Sequence, residues 1–122
     1  MPSDDPGPLQ HLALARDWEA ALARGVYEVS TRGHTLAEEG FVHLCLPHQL
    51  AGVAARFYAD VTEPLVRLTI DAGLLAAPVR LEPGDPSDPS SELFPHLYGP
   101  LPVAAVTAVD RVWVEGGRLV VG

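Results

Sequence analysis

The patterning of this chain predicts an α+β domain with a mostly antiparallel or mixed sheet. Short apolar or alternating segments recur along the sequence at strand length. Two stretches in the N-terminal half carry helical spacing instead. The C-terminal run holds two alternating apolar segments around Gly116-Gly117, the signature of a hairpin. Two main helices and six to seven strands follow, an inventory that fits α+β.

The elements read in order as follows. Residues 9–14, LQHLAL, form a short apolar strand. The next stretch, residues 15–25, places Trp18, Ala21 and Leu22 on one helix face, with Gly25 suited to end it. VYEVS at 26–30 alternates and reads as a strand. Thr35 and Glu38 have capping-box spacing, so one helical turn is expected at 35–39 and Gly40 stops it. FVHLC at 41–45 is a second buried strand. Pro47 suits a first helical turn, and Leu50, Val53, Ala54, Phe57 and Tyr58 make one apolar stripe, which predicts a helix over 47–59. Strands follow at 65–71 and 77–82. The run PGDPSDPSS at 83–91 has no apolar anchor and reads as a mobile loop. ELFPHLYGPL and the hairpin complete the chain.

With 122 residues, the chain fits one domain, taken as 9–122 behind a disordered stretch at 1–8. The opening MPSDDPGP lacks the basic flank and apolar run of a secretion signal, so a cytoplasmic protein is expected. A net charge of −8, with no lysine and arginines scattered singly, speaks against a nucleic-acid polymer or a membrane surface as partner. Small anions stay open, because one arginine can grip a phosphate bidentately. The oligomeric state is not legible. A single cysteine, Cys45, leaves no internal disulfide and no cysteine-based zinc site.

Three histidines in strand-like segments, His11, His43 and His96, mark the place to look for chemistry. For His11 the plainer role is a core histidine bonded to neighbouring backbone. The sharper one is a pocket wall shared with His43. Alternation puts His43 on one face with Phe41 and Cys45, where it could stack on a planar ring or act as a general base. His96 shares a face with Phe94 and Tyr98, while Pro95, Gly99 and Pro100 fix the backbone. Arg80 and Glu82 share a face and could pair. As a ligand group, Arg80 would hold a phosphate or carboxylate. Cys45 near His43 could serve as a nucleophile, although a buried inert cysteine is commoner. No H-x-H or H-x₃-H pair supports a three-histidine metal site, and no metal is expected.

Four words carry a resemblance: H-x₆-W from His11 to Trp18, GFVH at 40–43, VRLE at 79–82 and FPHLYGPL at 94–101. In this order and spacing they resemble the bacterial family called domain of unknown function 952, over about residues 10–110. The resemblance implies a compact branch of the ADP-ribosyltransferase-like fold, a split β-sandwich whose best-known members bind NAD in a cleft. It gives His11 the first place of a strand-borne triad, His43 the second, and Glu92 or His96 the third. A histidine in the first place would bond to a ribose hydroxyl of NAD, and a carboxylate at Glu92 would stabilise an oxocarbenium-like sugar. A histidine-rich triad is more similar to the RNA 2′-phosphotransferase branch than to the toxin branch. The implied function is a small transferase or glycohydrolase-like enzyme, with NAD or a related nucleotide as substrate. Arg80, Tyr98, Phe41, Cys45 and Phe94 would line the substrate site.

The family's usual GFIHCS reads GFVHLC here, and its VRWEP reads VRLEP. Leu44, Cys45 and Leu81 thus stand where more polar or aromatic residues are usual. They motivate a second expectation, a cleft re-used for a small apolar metabolite in secondary metabolism. A third is a non-catalytic interaction module.

Overall fold

The computed structural model describes residues 8–122, so the disordered stretch expected at 1–8 lies outside them except for its last residue. Strand β1 (Leu9–Leu14) leads directly into helix α1 (Ala15–Arg24), whose first amide, on Ala15, donates to the Pro64 carbonyl at 2.9 Å. The helix ends at Gly25, with φ +84°, a left-handed conformation that costs glycine nothing. Trp18 and Ala21 face inward as expected, but Leu22 falls off the edge of the stripe and is mostly exposed.

The expected strand over 26–30 is two strands, β2 (Val26–Tyr27) and β3 (Val29–Thr31). β3 turns at Gly33 and pairs with β4 (His34–Thr35), which the pattern did not show because it is only two residues long. Thr35 then caps α2 (Leu36–Glu39) with the full capping box, and Gly40 closes it. Of FVHLC only β5 (Val42–His43) joins a sheet. The helix expected over 47–59 is a 3₁₀ turn at Pro47–Gln49 followed by α3 (Leu50–Phe57).

The rest of the chain is β6 (Leu65–Ile70), β7 (Val79–Pro83), β8 (Leu93–Leu97), β9 (Leu101–Pro102), β10 (Val106–Glu115) and β11 (Arg118–Val121). Gly116 and Gly117 both have positive φ between β10 and β11, as a two-residue hairpin turn requires. Segment 83–91, expected to be mobile, is folded into two successive turns, in which Asp85 and Asp88 accept from the amides of Ser87 and Ser90.

The fold is α+β: three α-helices and several small antiparallel sheets among the described residues. The largest sheet has the order β1-β6-β10-β11, and a three-stranded sheet has the order β5-β8-β7. Six to seven strands were expected and eleven are found among the described residues, because the pairs β2-β9 and β3-β4 are too short to leave an alternating signature. No helix among the described residues is long and apolar enough to cross a membrane.

β1 joins the two larger sheets. Gln10 and Cys45 exchange backbone hydrogen bonds of 2.7 and 2.8 Å, so β1 pairs with β6 along its length and with the chain after β5 at one point. Both of its faces are buried. Leu9 and Ala13 enter a core with Tyr27, Leu44, Leu68 and Leu97, and Leu12 and Leu14 enter a second core with Leu50, Ala54 and Tyr58. A strand covered on both sides reads as a nearly continuous apolar run, which LQHLAL is.

Leu68, on β6, is fully buried in the first core. Leu68→Ala should cost about 2–5 kcal/mol through lost transfer energy and the cavity left behind. Urea unfolding should show a lower midpoint at unchanged slope, and a loss below ~1 kcal/mol would contradict this placement.

Candidate functional site

The alternation of β8 sends Leu97 into the core and turns Phe94 and His96 to the other side, with Tyr98 following them. Backbone register then sets their neighbours. His96 stands opposite His43 on β5 and opposite Arg80 on β7, and Phe94 stands opposite Glu82. One face of a three-stranded sheet therefore collects His43, His96, Phe94, Arg80 and Glu82. Gly99 helps end β8 against residue 77, because a Cβ there would come within 2.5 Å of the Ala77 Cβ.

The His96 ring is only 4% exposed and lies flat on Phe41, with centroids 4.0 Å apart and planes 12° apart. Its Nδ1 donates to the Glu82 carboxylate at 2.9 Å, and the Tyr98 hydroxyl donates to the same oxygen. These bonds, Tyr98 first and His96 second, hold the Glu82 carboxyl below its ordinary range. The Tyr98 phenol is raised in turn by its bond to Glu82. Arg80, expected to pair with Glu82 or to grip a ligand, instead lies over the Tyr98 ring, 5.4 Å from its centroid.

Of the three histidines His11, His43 and His96, His43 is the one that lines the cavities. Its ring lies 5.0 Å from that of His96 and 5.1 Å from that of Phe94. Burial, and secondarily the charge of His96, lower it from 6.5 to about 4, so it is neutral at physiological pH. Two adjoining cavities meet at it. One, of about 260 Å³, is lined by Gln49, Arg56, Glu92 and Phe94 among others. The other, of about 550 Å³, is lined by Thr31, Arg32, His34 and Glu39 among others. His43, Val53, Phe57 and Gly84 belong to both. Gly84 is required there, because a Cβ would meet the Phe94 ring at 2.8 Å.

Glu92 faces the smaller cavity and is held in place by Gln49, whose amide donates to it at 3.0 Å and to the Leu93 carbonyl at 2.8 Å. Gln49 is itself buried, and its oxygen accepts from the Leu46 amide at 2.9 Å. Gln49 thus has partners for both ends of its amide group.

The structure moves His11 out of the cleft. It is 3% exposed and lines neither cavity. Its Nδ1 contacts the His43 carbonyl at 2.8 Å, and its Nε2 contacts the Tyr27 hydroxyl at 3.0 Å. A carbonyl can only accept, so the proton sits on Nδ1 and Tyr27 donates to Nε2. With both nitrogens taken, His11 has no atom left for a ribose hydroxyl. Burial lowers it to about 4, so it stays neutral. Cys45 also faces away from the cleft: buried, it donates weakly to the Gln10 carbonyl at 3.4 Å, and burial pushes its thiol up to about 12. An inert cysteine results.

The site thus assembles His43, His96, Phe41, Phe94 and Tyr98 on one sheet face, with Glu92 across the smaller cavity. Glu82, Gln49 and Arg56 belong to it although the sequence reading did not select them. For Glu82 a signal existed, since pairing VRLEP with LFPHL in antiparallel register sets it diagonal to His96. For Arg56 and Gln49 none did, because their place depends on how α3 packs.

Tyr27→Phe removes the donor to His11 Nε2 and leaves a buried acceptor unpaired, which should cost about 1–3 kcal/mol by urea unfolding. Stability should also depend on acid in a defined way. His11 and His43 titrate near 6.5 when unfolded and about 4 when folded, so the unfolded chain binds protons first. Their contribution is complete above about pH 6.5 and is lost as pH falls toward 4. His11→Gln should flatten this decline in unfolding midpoint, and a slope unchanged by the substitution would contradict the assignment.

Comparison with known proteins gives a family. The model of a family described as a protein of unknown function (DUF952) matches residues 12–109. Among solved structures, the crystal structure of protein CC0527 from Caulobacter crescentus has 26% sequence identity and a TM-score of 0.75, with 93% of each chain covered. The solution NMR structure of the same protein has 27% identity and a TM-score of 0.71, covering 92% of this chain and 90% of that one. No curated protein matches.

Proposed function

The chain belongs to the DUF952 family, and for it we propose an enzyme that binds NAD or a related nucleotide in the His43 cleft and acts at a ribose. One observation carries this reading: His43, Phe94, Arg56 and Glu92 line a single cavity that continues past His43 into a larger one. Each group answers a part of a nucleotide. Phe94 and the neutral His43 offer aromatic surfaces for a planar base. Arg56 lies over the Phe57 ring, 5.3 Å from its centroid, and supplies a planar fork for phosphate oxygens. Glu92, fixed by Gln49, supplies the carboxylate that an oxocarbenium-like ribose carbon requires.

In the step proposed, the bond from the ribose anomeric carbon to its nitrogen leaving group breaks, and the electron pair leaves with the base. Glu92 stabilises the cationic sugar. An acceptor hydroxyl forms the new bond to that carbon and gives its proton to His43. The expected partner is a small molecule rather than a polymer, in keeping with a net charge of −8 and isolated arginines. The larger of the two adjoining cavities, about 550 Å³, lies in the size range of small-molecule sites, and the smaller adds about 260 Å³ beside it.

A second reading has its own observation. An apolar groove of about 460 Å³ lies on the opposite face of β7, lined by Leu9, Leu46, Leu75, Val79, Leu81 and Pro95 among others. Of the three residues that prompted the metabolite expectation, only Leu81 reaches this groove, while Leu44 and Cys45 are buried. A small apolar metabolite, handled in a biosynthetic pathway, would bind there and not at His43.

Titration with NAD, followed by backbone and histidine NMR, separates these readings. Shifts confined to His43, Phe94 and residues 84–92 are expected, with affinity falling about tenfold in Arg56→Ala, the loss of roughly one charged contact. Nicotinamide release should disappear in Glu92→Gln. A spectrum unchanged at millimolar NAD would retire the nucleotide reading, and shifts at Leu75, Val79 and Leu81 with an apolar probe would favour the second.

A further inference from the structure

The nucleotide reading uses the groups that face the cleft and leaves unexplained the pair packed behind them. His96 is nineteen-twentieths buried, and its Nε2 is a buried atom without a hydrogen-bond partner among the described residues. Buried polar atoms are nearly always paired, so an unpaired one in a site of this kind calls for a role. The Glu82 carboxylate can only accept, which puts the His96 proton on Nδ1 and leaves Nε2 as a bare acceptor.

From this geometry we infer that Glu82, His96 and His43 form a proton relay that opens on the cleft at His43. The relay rests on the cleft being a ligand site. His43 and His96 are directly opposed on neighbouring strands, and their ring centroids are 5.0 Å apart. Two imidazoles joined by one N–H···N bond stand about this far apart, with ~2.9 Å between nitrogens and the radius of each ring added. The His43 ring is partly buried and tilted 48° to its neighbour, so forming that bond requires the ring to turn. His96 itself is held from both sides, by the stack on Phe41 and by Glu82.

Proton movement then balances without leaving charge at the mouth of the cleft. A ligand hydroxyl gives its proton to one nitrogen of His43, and the proton on the other His43 nitrogen passes to Nε2 of His96. The imidazolium forms on His96, where it is ion-paired to Glu82, and the Tyr98 hydroxyl steadies that carboxylate. His43 ends as a neutral tautomer, consistent with the low value that burial gives it. The charged and titratable groups around the relay are Arg80 and Glu82 on β7 and Tyr98 after β8, with Arg56, Asp85 and Glu92 lining the smaller cavity at His43 and Arg32, His34 and Glu39 the larger. In this scheme His43 is the catalytic residue, and His96 and Glu82 are positioning residues.

The test needs no ligand. Ring ¹⁵N spectra of the full chain should show His96 with its proton on Nδ1, and the His43 titration should be followed in Glu82→Gln and Tyr98→Phe. Losing the Glu82 charge by itself would lower the His43 midpoint. If the groups are coupled, His96 holds its proton less firmly in Glu82→Gln, and the His43 midpoint rises by about half a unit or more. Tyr98→Phe frees Glu82 to hold His96 more tightly and should move His43 the other way. If Glu82→Gln fails to fold, the Tyr98→Phe shift alone decides. A His43 midpoint unmoved or lowered in Glu82→Gln, or unmoved in Tyr98→Phe, overturns the relay. The NAD titration is independent: coupling without NAD binding sinks only the nucleotide reading, and NAD binding without coupling sinks only the relay.

Discussion

The structure depends on the junction between β1 and the chain around β5. Two backbone hydrogen bonds between Gln10 and Cys45, and the side-chain bond from His11 to the His43 carbonyl, tie the four-stranded sheet to the three-stranded one. Because β1 is covered on both faces, its polar groups must find partners inside the protein. His11 does so only as a neutral ring with a fixed tautomer. The same bond fixes the carbonyl of the residue whose side chain faces the cavities. A core histidine thus orients the cleft without entering it.

Much of this was legible in the sequence, and what was not has physical causes. Helix α1 with its Gly25 terminus, the Thr35–Glu38 capping box, β6 and the Gly116-Gly117 turn announce themselves through local rules. Strands of two residues do not, since alternation needs more length than β2, β4, β5 or β9 provides. Helical spacing placed Phe57 in the inward stripe of α3, but the structure leaves it about half exposed as a wall of both cavities. For the candidate site, three histidines in strands drew attention to one region, but spacing could not tell which ring lines a cavity. That distinction came from tertiary surroundings: Tyr27 for His11, Glu82 for His96, and the two cavities for His43.

The walls of the cleft carry charges of both signs, Arg56 and Arg32 among Asp85, Glu92 and Glu39. Glu82 is engaged by His96 and Tyr98, and Glu92 by Gln49, so two of the carboxylates near His43 already have donors. Arg56 faces the smaller cavity, while Arg32 is held by Asp60 at 2.6 Å. An anion approaching His43 would therefore be held by Arg56, with Asp85, Glu92 and Glu39 also on the cavity walls.

The rim of the smaller cavity repeats itself. Asp85-Pro86-Ser87 and Asp88-Pro89-Ser90 are identical in sequence and fold into the same turn, each aspartate taking up the amide and the hydroxyl of its own serine. Each unit satisfies these serine groups internally, and one backbone bond of 3.0 Å, from the Asp88 amide to the Asp85 carbonyl, joins the two units. The rim is in that sense modular: its length can change by one tripeptide without stranding a serine amide. The bore of the cavity can therefore be adjusted by insertion or deletion at this edge, while the sheet that carries His43 keeps its register.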